Sequence, residues 1–330
     1  MLKEFRALGG IAENVTLRPH GHWGPGLFSA NPDKPFVVDI PASLLFRVEN
    51  VEFVDGAIRI KNSAPVASAE RDFFARYQKV LSWGEVGESG ATLFIEMLDA
   101  VPLKLHETLV ADFAMQEFFE GTRAERIQGY FLRSRAVMWN GTSVIVPFIE
   151  LARRCENATV LGSHEPGHLR IEGEVPGEIF VAFGRQDPLG IFRKFGLPAA
   201  RLHAFSLPVR TKVGTADLTI GRNPAAKEER AGFVIPQMKS ESGELFLSHL
   251  MLGNSTFPRA SRGIFYTLMR EAGVTGSDEA FDRVLQFNKG AFLRLLEMLE
   301  PLRGEIITRL RRMAHFQLGA LAHCVGAREL

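Results

Sequence analysis

The sequence is poor in cysteine and tyrosine and has almost no net charge. Its two cysteines, Cys155 and Cys324, provide neither a disulfide framework nor a CxxC motif, which favours a reducing cytoplasm. The 39 basic and 38 acidic side chains give a formal net charge of +1, so no global field attracts nucleic acid or an anionic membrane. No apolar run approaches the ~20 residues that span a bilayer, and the first ten residues lack a signal-peptide core. We therefore expect a cytoplasmic protein that binds neither nucleic acid nor a membrane.

Phenylalanine, in contrast, is abundant, because the chain has 26 Phe but only three Tyr and three Trp. The hydrophobic fraction of 46% is ordinary for a globular protein. A chain of 330 residues is long enough for two or three domains and a sizeable core. The composition therefore indicates a folded protein and leaves its oligomeric state undetermined.

The first part of the chain predicts a β-rich segment followed by a helical one. Residues 10–62 contain short β-rich runs separated by turn signals such as Asp55-Gly56, which is typical of hairpins. Residues 63–129 carry apolar side chains at spacings of three and four residues. This periodicity predicts amphipathic helices over residues 69–77 and 103–120.

Strand patterns return over residues 130–208. The Asn140-Gly141 pair predicts a tight turn. The apolar run of residues 144–146 predicts a strand that ends at Pro147, which cannot donate to a ladder. A polar segment follows this strand, as is common in the wall of a pocket.

The last 120 residues change from mixed to helical patterns. Residues 209–250 contain two short runs in which apolar and polar side chains alternate. Beyond them, apolar stripes predict helices. Ser277 is the predicted N-cap of the first long helix. Pro301 is predicted to break that helix, and Gly326 to end the next one.

Several short motifs occur in a fixed order along residues 10–200. They are the Gly24-Pro25-Gly26-Leu27 loop with the strand of residues 37–41, the run of residues 132–136 (Leu-Arg-Ser-Arg-Ala), the Val-Pro element of residues 146–147, the Gly-Glu strand of residues 177–184, and Lys-Phe-Gly of residues 194–196. In order and spacing this set resembles a SET domain of the Rubisco large-subunit methyltransferase type. The resemblance implies an α+β fold, with a SET-like β domain that carries a helical insert and a mostly α-helical C-terminal domain.

The resemblance also divides the chain and assigns it a chemistry. Residues 10–62 would form the N-terminal SET half, 63–129 the helical insert, 130–208 the C-terminal SET half, and 209–330 a helical domain that helps to hold the substrate. The implied activity is methyl transfer from S-adenosylmethionine to a lysine or to an atypical, possibly small-molecule, acceptor.

Part of the cofactor site follows from motifs that this chain preserves. The loop of Trp23, Gly24, Pro25 and Gly26 would lie against S-adenosylmethionine, since glycine lets the backbone approach a ligand closely. The resemblance places Ser134-Arg135 at the carboxylate end of the cofactor, where a guanidinium can bind a carboxylate with two hydrogen bonds. In a strand, Arg133 would point to the opposite face.

Other positions depart from the family pattern. Glu150 stands where the family has aspartate, and Arg153-Arg154 stand where it has Asn-His. Arginine carries hydrogen-bond donors only, so it cannot repeat the contacts of Asn and His. Three outcomes are open: the arginines point to solvent, pair with Glu150 or Glu156, or receive a more anionic ligand. Of these, we favour the ion pair.

Phe183 and Phe195 replace two tyrosines of the resembled family, and these are its catalytic positions. Alignment and a dry channel supply much of the rate of methyl transfer, and phenylalanine keeps the shape of the pocket but offers no hydroxyl. Two interpretations follow. The protein is a methyltransferase with a modified acceptor pocket, or it is a SET scaffold without that activity, used as a binding module or for other chemistry.

A metal site is not expected. The run His164-Glu165-Pro166-Gly167-His168 fits the metalloprotease pattern His-Glu-x-x-His, which needs both histidines on one helical face. Proline and glycine at its centre break such a helix. His20-Gly21-His22 is a weak metal signal, and Cys155 lacks an adjacent histidine base.

Overall fold

A computed structural model describes residues 1–19, 24–155, 158, 161–162, 167–184, 186–222, 229–230, 233–241 and 243–323. Helices and strands alternate in blocks along the chain, so the protein has an α+β fold. Within these residues, no helix is both long and apolar enough to cross a membrane.

The first half of the chain contains five helices and nine strands among the described residues. In chain order they are α1 (Leu2–Ala7), β1 (Ile11–Glu13), β2 (Val15–Pro19), β3 (Pro25–Ser29), β4 (Phe36–Ile40), β5 (Phe46–Arg47), β6 (Val51–Val54), β7 (Ala57–Ile60), α2 (Ser68–Leu81), α3 (Gly84–Asp99), α4 (Leu103–Ala111), α5 (Arg123–Arg135), β8 (Val137–Trp139) and β9 (Thr142–Ile145).

The second half begins with short strands and ends with long helices. Its elements are β10 (Arg153–Cys155), β11 (Leu169–Gly173), β12 (Phe180–Ala182), α6 (Pro188–Phe195), β13 (His203–Phe205), β14 (Val209–Val213), β15 (Ala216–Ile220), β16 (Glu229–Arg230), β17 (Phe233–Val234), β18 (Met238–Glu241), β19 (Glu244–Leu247), β20 (Met251–Asn254), α7 (Ala260–Glu271), α8 (Ser277–Leu299) and α9 (Glu305–Ala322).

These elements form two compact units. Unit 1 comprises Met1–Glu96 and Glu120–Gly184, and unit 2 comprises Met97–Phe119 and Arg185–Leu330. This division differs from the four segments that the sequence predicts. Those segments follow the domain boundaries of the resembled family, and they stay a prediction.

Unit 1 is built from small sheets around an aromatic core. Its sheets have the strand orders β1-β4-β11, β5-β9-β8, β2-β3, β6-β7 and β10-β12, and the last pair is parallel. α2 packs against β7, and its buried Phe73, Phe74 and Tyr77 face the rings of Phe5, Phe46 and Phe148. α2, the first helix of the predicted insert, is therefore part of the core of this unit, whereas Met97–Phe119 of the insert belong to unit 2.

The predicted hairpins are present in unit 1. Asn140 and Gly141 have φ of 47° and 77° and connect β8 to β9 with Trp139 opposite Thr142. Both residues of a type I′ turn need positive φ, which explains the Asn-Gly pair. Asp55-Gly56 forms the same kind of turn between β6 and β7, with φ of 53° and 74°.

One strand prediction and one helix prediction are wrong. The segment with Ser134 and Arg135 is the last turn of α5, not a strand, because Thr122 and Glu125 form a capping box and start a helix of 13 residues. The pattern over residues 103–120 is not one helix. α4 ends at Ala111, and Ala114, with φ of 51°, separates it from a 3-10 turn at Gln116–Phe118.

In unit 2, a four-stranded sheet of order β14-β15-β19-β18 packs against α8 through β14, whereas α7 and α9 contact β20. α9 packs against α6, α8 and β20. A Cβ on Gly253 of β20 would lie 2.2 Å from the carbonyl oxygen of Ala320 in α9. Only glycine therefore permits this close approach of β20 to α9. α8 ends at Leu299 before Pro301, as predicted. The N-cap is Gly276 rather than Ser277, which is the first helical residue, and Gly326 lies outside the described residues.

Asp187 connects α6, β13 and α9 in unit 2 and binds Arg222, which follows β15. Its carboxylate is 1% exposed and accepts hydrogen bonds from Gly190 N (2.9 Å), Arg222 Nη2 (2.5 Å), Phe205 N (3.0 Å) and Gln317 Nε2 (2.7 Å). Burial alone would raise the pKa of Asp187, but Arg222 and these hydrogen bonds hold it below its ordinary value. The carboxylate thus caps α6 and fixes it to β13 and α9.

We expect Asp187→Ala to lower the free energy of unfolding by about 3–5 kcal/mol, because it leaves Arg222 buried without its partner. Chemical denaturation of the purified protein measures this change. Asp217→Ala is the matched control: its ion pair with Lys212 spans 3.8 Å between largely exposed side chains, so its loss should cost less than ~1 kcal/mol. Equal losses for the two variants would contradict the central role of Asp187.

Candidate functional site

The predicted glycine loop begins in a conformation that favours glycine. Gly24 has φ of +83°, and a Cβ there would lie 3.1 Å from Cγ1 of Val86. Pro25 and Gly26 start β3, where Gly26 is buried and pairs with Arg18 of β2. Trp23, His20 and His22 lie outside the described residues.

β3 brings this loop against the segment that precedes β12. Ser29 N donates to the carbonyl oxygen of Gly177, and Ile179 N donates to that of Leu27, each at 2.8 Å. β3 also contacts a 3-10 turn at Ile149–Leu151. Three predicted motifs that are far apart in sequence therefore meet in unit 1.

Ser134 and Arg135 have different roles at the end of α5. Ser134 Oγ donates to the carbonyl oxygen of Phe131 at 2.8 Å, which is a local helix contact. Arg135 Nη1 donates to the main-chain carbonyl oxygen of Glu150 at 3.0 Å, and its guanidinium lies 5.7 Å from the centre of the Phe131 ring. Arg135 thus reaches the Ile149–Leu151 turn, whereas the Ser134 hydroxyl binds within its own helix.

A strained residue orients that turn. Phe148 follows Pro147 with φ of 65°, a region that bulky side chains rarely adopt. Its main-chain N–H donates to the hydroxyl of Tyr77 at 2.9 Å, and its ring meets the Tyr77 ring edge-on at 5.4 Å. Together these contacts turn Glu150 inward, towards α2.

Glu150 is buried with little hydrogen bonding. The residue is 6% exposed, and Gln78 Nε2 donates to its Oε1 at 3.3 Å. Burial raises the pKa of Glu150 above its ordinary value, while the charge of Arg135 and the nearby Tyr77, Ser82 and Gln78 side chains partly oppose the rise.

Arg153 forms the ion pair that the sequence favoured, but with another partner. Its Nε and Nη2 donate to the two carboxylate oxygens of Glu178 at 2.6 and 2.5 Å, and its guanidinium lies 5.2 Å from the Phe180 ring centre. The expected partner Glu150 is not in this pair, and Glu156 lies outside the described residues. The parallel pairing of β10 with β12 places Arg153 opposite Phe180 and so brings Glu178 within reach.

Arg154 points to the other face of β10, towards the buried charges. Its Nη1 donates to the carbonyl oxygen of Ala182 at 3.3 Å. Burial and the like charge of Arg135 lower the pKa of Arg154 from 12.5 to about 10, although Glu150 opposes this shift. The side chain is therefore still cationic at neutral pH.

The two phenylalanines of the predicted catalytic pair belong to different units. Phe183 directly follows β12 in unit 1, and Phe195 ends α6 in unit 2, where Lys194 Nζ lies 5.4 Å from its ring centre. Both residues are partly exposed.

The His-Glu-x-x-His run does not form a helix where it is described. His164 to Pro166 lie outside the described residues, Gly167 has φ of +85°, and His168 Nδ1 lies 2.8 Å from Oδ1 of buried Asp39. Across the part of the chain that the structure describes, no group of three His, Cys, Asp or Glu side chains could hold a metal ion. Cys155 is an exposed thiol on β10.

The sequence did not identify Tyr77, Gln78, Ser82 or Glu178 as neighbours of the site. Gln78 and Ser82 are four residues apart, so they face the same side at the C-terminal end of α2. This spacing was the sequence signal that could have placed the two side chains together. Glu178 lies in the Gly-Glu strand motif, but its pairing with Arg153 depends on the register of β10 and β12.

The cluster of Arg135, Glu150 and Arg154 carries two cations and one carboxyl group in a poorly solvated place. Opposite charges interact more strongly there than in water. Such a cluster favours a ligand with an anionic group, and a carboxylate suits the planar guanidinium.

Comparison with known proteins gives little further information. No protein-family profile matches the chain, and no curated protein sequence matches it significantly. Among the solved structures that it resembles is the SET domain of LSMT bound to lysine and AdoHcy. That similarity has a TM-score of 0.40 and 11% identity over 98% of this chain and 88% of the other.

We expect Tyr77→Phe to lower the free energy of unfolding by about 1–3 kcal/mol, because the N–H of Phe148 would be buried without an acceptor. Tyr266→Phe is the control, since its hydroxyl accepts from the charged side chain of Arg262 in a partly exposed place. Denaturant unfolding of both variants compares the two hydroxyls. A Tyr77→Phe protein as stable as the wild type would show that the strained turn does not need this hydrogen bond.

Proposed function

We propose that unit 1 is a SET-type domain that binds S-adenosylmethionine, and that the protein transfers the methyl group to a lysine or to an atypical small-molecule acceptor. The proposal combines the sequence motifs with the way in which unit 1 assembles them.

The observation that carries the proposal is the convergence of these motifs. β3 hydrogen-bonds to the segment of residues 177–179, Arg135 binds the Glu150 carbonyl, and β10 pairs with β12. β3 lies more than 100 residues before the segment that it contacts, so short-range propensity does not explain that contact. A pocket assembled from several such elements is the usual form of a small-molecule site.

The charge of the cluster suits a cofactor that carries a carboxylate. Burial and the like charge of Arg135 lower the pKa of Arg154 to about 10, and the carboxylate of a ligand would favour its charged form. Arg153, in contrast, already has the carboxylate of Glu178 as a bidentate partner. Of the two arginines at the Asn-His positions, we therefore assign ligand binding to Arg154.

The acceptor remains the open part of the proposal. Phe183 supplies a ring but no hydroxyl to orient an amine, so transfer would depend on proximity and exclusion of water. A slow lysine methyltransferase and an enzyme with a less polar acceptor both fit this property.

The alternative is a SET scaffold without methyl transfer, which serves as a binding module or performs other chemistry. It is favoured by the same residues: Arg153 and Arg154 replace Asn-His, and Phe183 and Phe195 replace tyrosines. Cofactor binding without transfer to any acceptor would support this alternative.

We expect calorimetric titration to show micromolar binding of S-adenosylmethionine and of its demethylated product. Arg154→Gln should weaken both about 10–100-fold, the value of a hydrogen bond to a charged group. Arg59→Gln is the matched control, because Arg59 forms an exposed ion pair with Asp55 at 3.9 Å, in the same unit and away from the cluster. No binding to the wild type, or equal effects of the two variants, would contradict the proposed cofactor site.

We expect Phe183→Tyr to increase the turnover of methyl transfer about tenfold or more, because it restores a hydroxyl that can orient the acceptor. Transfer from radiolabelled cofactor to peptide and small-molecule acceptors measures the change. Phe246→Tyr, a partly exposed position in unit 2, should leave turnover unchanged. If Phe183→Tyr binds the cofactor but transfers no methyl group to any acceptor, the non-catalytic alternative is preferred.

A further inference from the structure

The segment that follows β9 is a classic γ-turn, a rare and strained conformation. Phe148 has φ of 65° and ψ of −46°, and Ile149 N donates to the carbonyl oxygen of Pro147 at 2.8 Å. This hydrogen bond across three residues, with a positive φ at the central one, defines the classic γ-turn. A bulky residue keeps such a conformation only where the surrounding structure holds it. The γ-turn of unit 1 therefore depends on the groups that pack against Phe148.

Two buried aromatic rings hold Phe148 in this conformation. Tyr77 of α2 accepts the Phe148 N–H at 2.9 Å, and its ring meets the Phe148 ring edge-on. Phe5 of α1 supplies the second ring, whose centre lies 4.9 Å from that of Phe148 at an interplanar angle of 65°. Phe5 and Phe148 are 0% and 1% exposed. The γ-turn is thus held by one helix of the predicted insert and by α1.

Phe5 is the buried anchor of α1. It is the one buried residue of this six-residue helix, and its ring lies so close to Gly10 that a Cβ there would be 2.3 Å from Cζ of Phe5. The ion pair of Glu4 with Arg76, at 3.6 Å, is partly exposed. A helix of this length is not stable by itself in water. The order of α1 and the position of the Phe5 ring therefore depend on each other.

The γ-turn also places one wall of the candidate site. Glu150 N donates to the carbonyl oxygen of Val146, and the carbonyl oxygen of Glu150 accepts from Arg135 Nη1, each at 3.0 Å. A change of Phe148 to the negative φ that such residues prefer would redirect the chain after it and move this carbonyl group away from Arg135. Phe5, Phe148, Glu150 and Arg135 thus form a continuous series of contacts.

We propose that Phe5 is a positioning residue for the ligand site of unit 1: its ring holds the γ-turn at Phe148, so that docking of α1 and binding of a ligand at Arg135 favour each other. The effect on ligand binding rests on the proposed function, whereas the effect of Phe5 on the γ-turn does not. Because linkage is reciprocal, a ligand that requires this turn also stabilises the docked α1. The expected coupling is that of one edge-to-face ring contact, about three- to tenfold in an equilibrium constant.

Amide hydrogen exchange of the full chain, followed by NMR, tests the effect on the turn. Phe5→Leu keeps an apolar side chain but removes the ring edge. Gly10→Ala displaces the Phe5 ring without changing α1 or the turn, since the new Cβ would occupy the place of that ring. We expect both variants to speed exchange of the Phe148 amide about three- to tenfold, because the turn opens more often.

Phe94→Leu is the matched control. Phe94 is 2% exposed in the same unit, and its ring stacks on Tyr130 at 4.2 Å. The variant should lower overall stability, as Phe5→Leu does, but leave exchange of the Phe148 amide unchanged. Equal acceleration in Phe5→Leu, Gly10→Ala and Phe94→Leu would show that Phe5 acts only through overall stability. That result, or no acceleration in the first two variants, overturns the proposal.

Calorimetric titration with the demethylated product of S-adenosylmethionine tests the effect on the site. We expect Phe5→Leu and Gly10→Ala to weaken binding about three- to tenfold and Phe94→Leu to bind as the wild type does. The product should also slow exchange of the Gly10 amide of the wild type, which donates to the carbonyl oxygen of Phe5.

The two measurements separate this proposal from the proposed function. Unchanged affinity of Phe5→Leu, together with faster exchange of its Phe148 amide, overturns the positioning role and leaves the cofactor site standing. No binding to the wild type overturns the proposed function and, with it, the role of Phe5 in ligand binding. The exchange rates then still decide whether Phe5 holds the γ-turn.

Discussion

Burial of charge is the constraint on which both units depend. A carboxylate removed from water must be compensated by opposite charge or by several donors, or it takes up a proton. Unit 2 meets this requirement with Arg222, Gln317 and two main-chain N–H groups around Asp187, and thereby fixes α6, β13 and α9. Unit 1 leaves Glu150 poorly compensated between α2 and the turn that follows β9.

That difference separates a structural centre from a candidate functional one. A fully hydrogen-bonded buried network specifies one packing arrangement. A poorly compensated cluster lowers stability, and proteins keep such clusters chiefly where a ligand or a reaction uses them. The strained φ of Phe148, held by Tyr77, directs Glu150 into this cluster, and strain of this kind also concentrates at functional sites.

Local signals in the sequence predicted part of this arrangement. The Asn140-Gly141 turn and the stop of β9 before Pro147 follow from backbone chemistry alone, and both are confirmed. The segment of Arg135 was misassigned because the capping box that starts α5 lies 13 residues upstream of it. The partner of Arg153 could not be predicted, since it depends on the parallel register of β10 and β12, which are separated by about 25 residues.

The sequence by itself determined the α+β character, the turns, the long C-terminal helices and the order of the motifs, because each depends on neighbouring residues or on a short period. Only the tertiary structure decided which charges meet. It paired Arg153 with Glu178, turned Arg154 towards Glu150 and placed Gln78 and Ser82 beside the same carboxyl group. The physical reason is that solvation and charge pairing depend on distance in space, and no local rule of sequence encodes that distance.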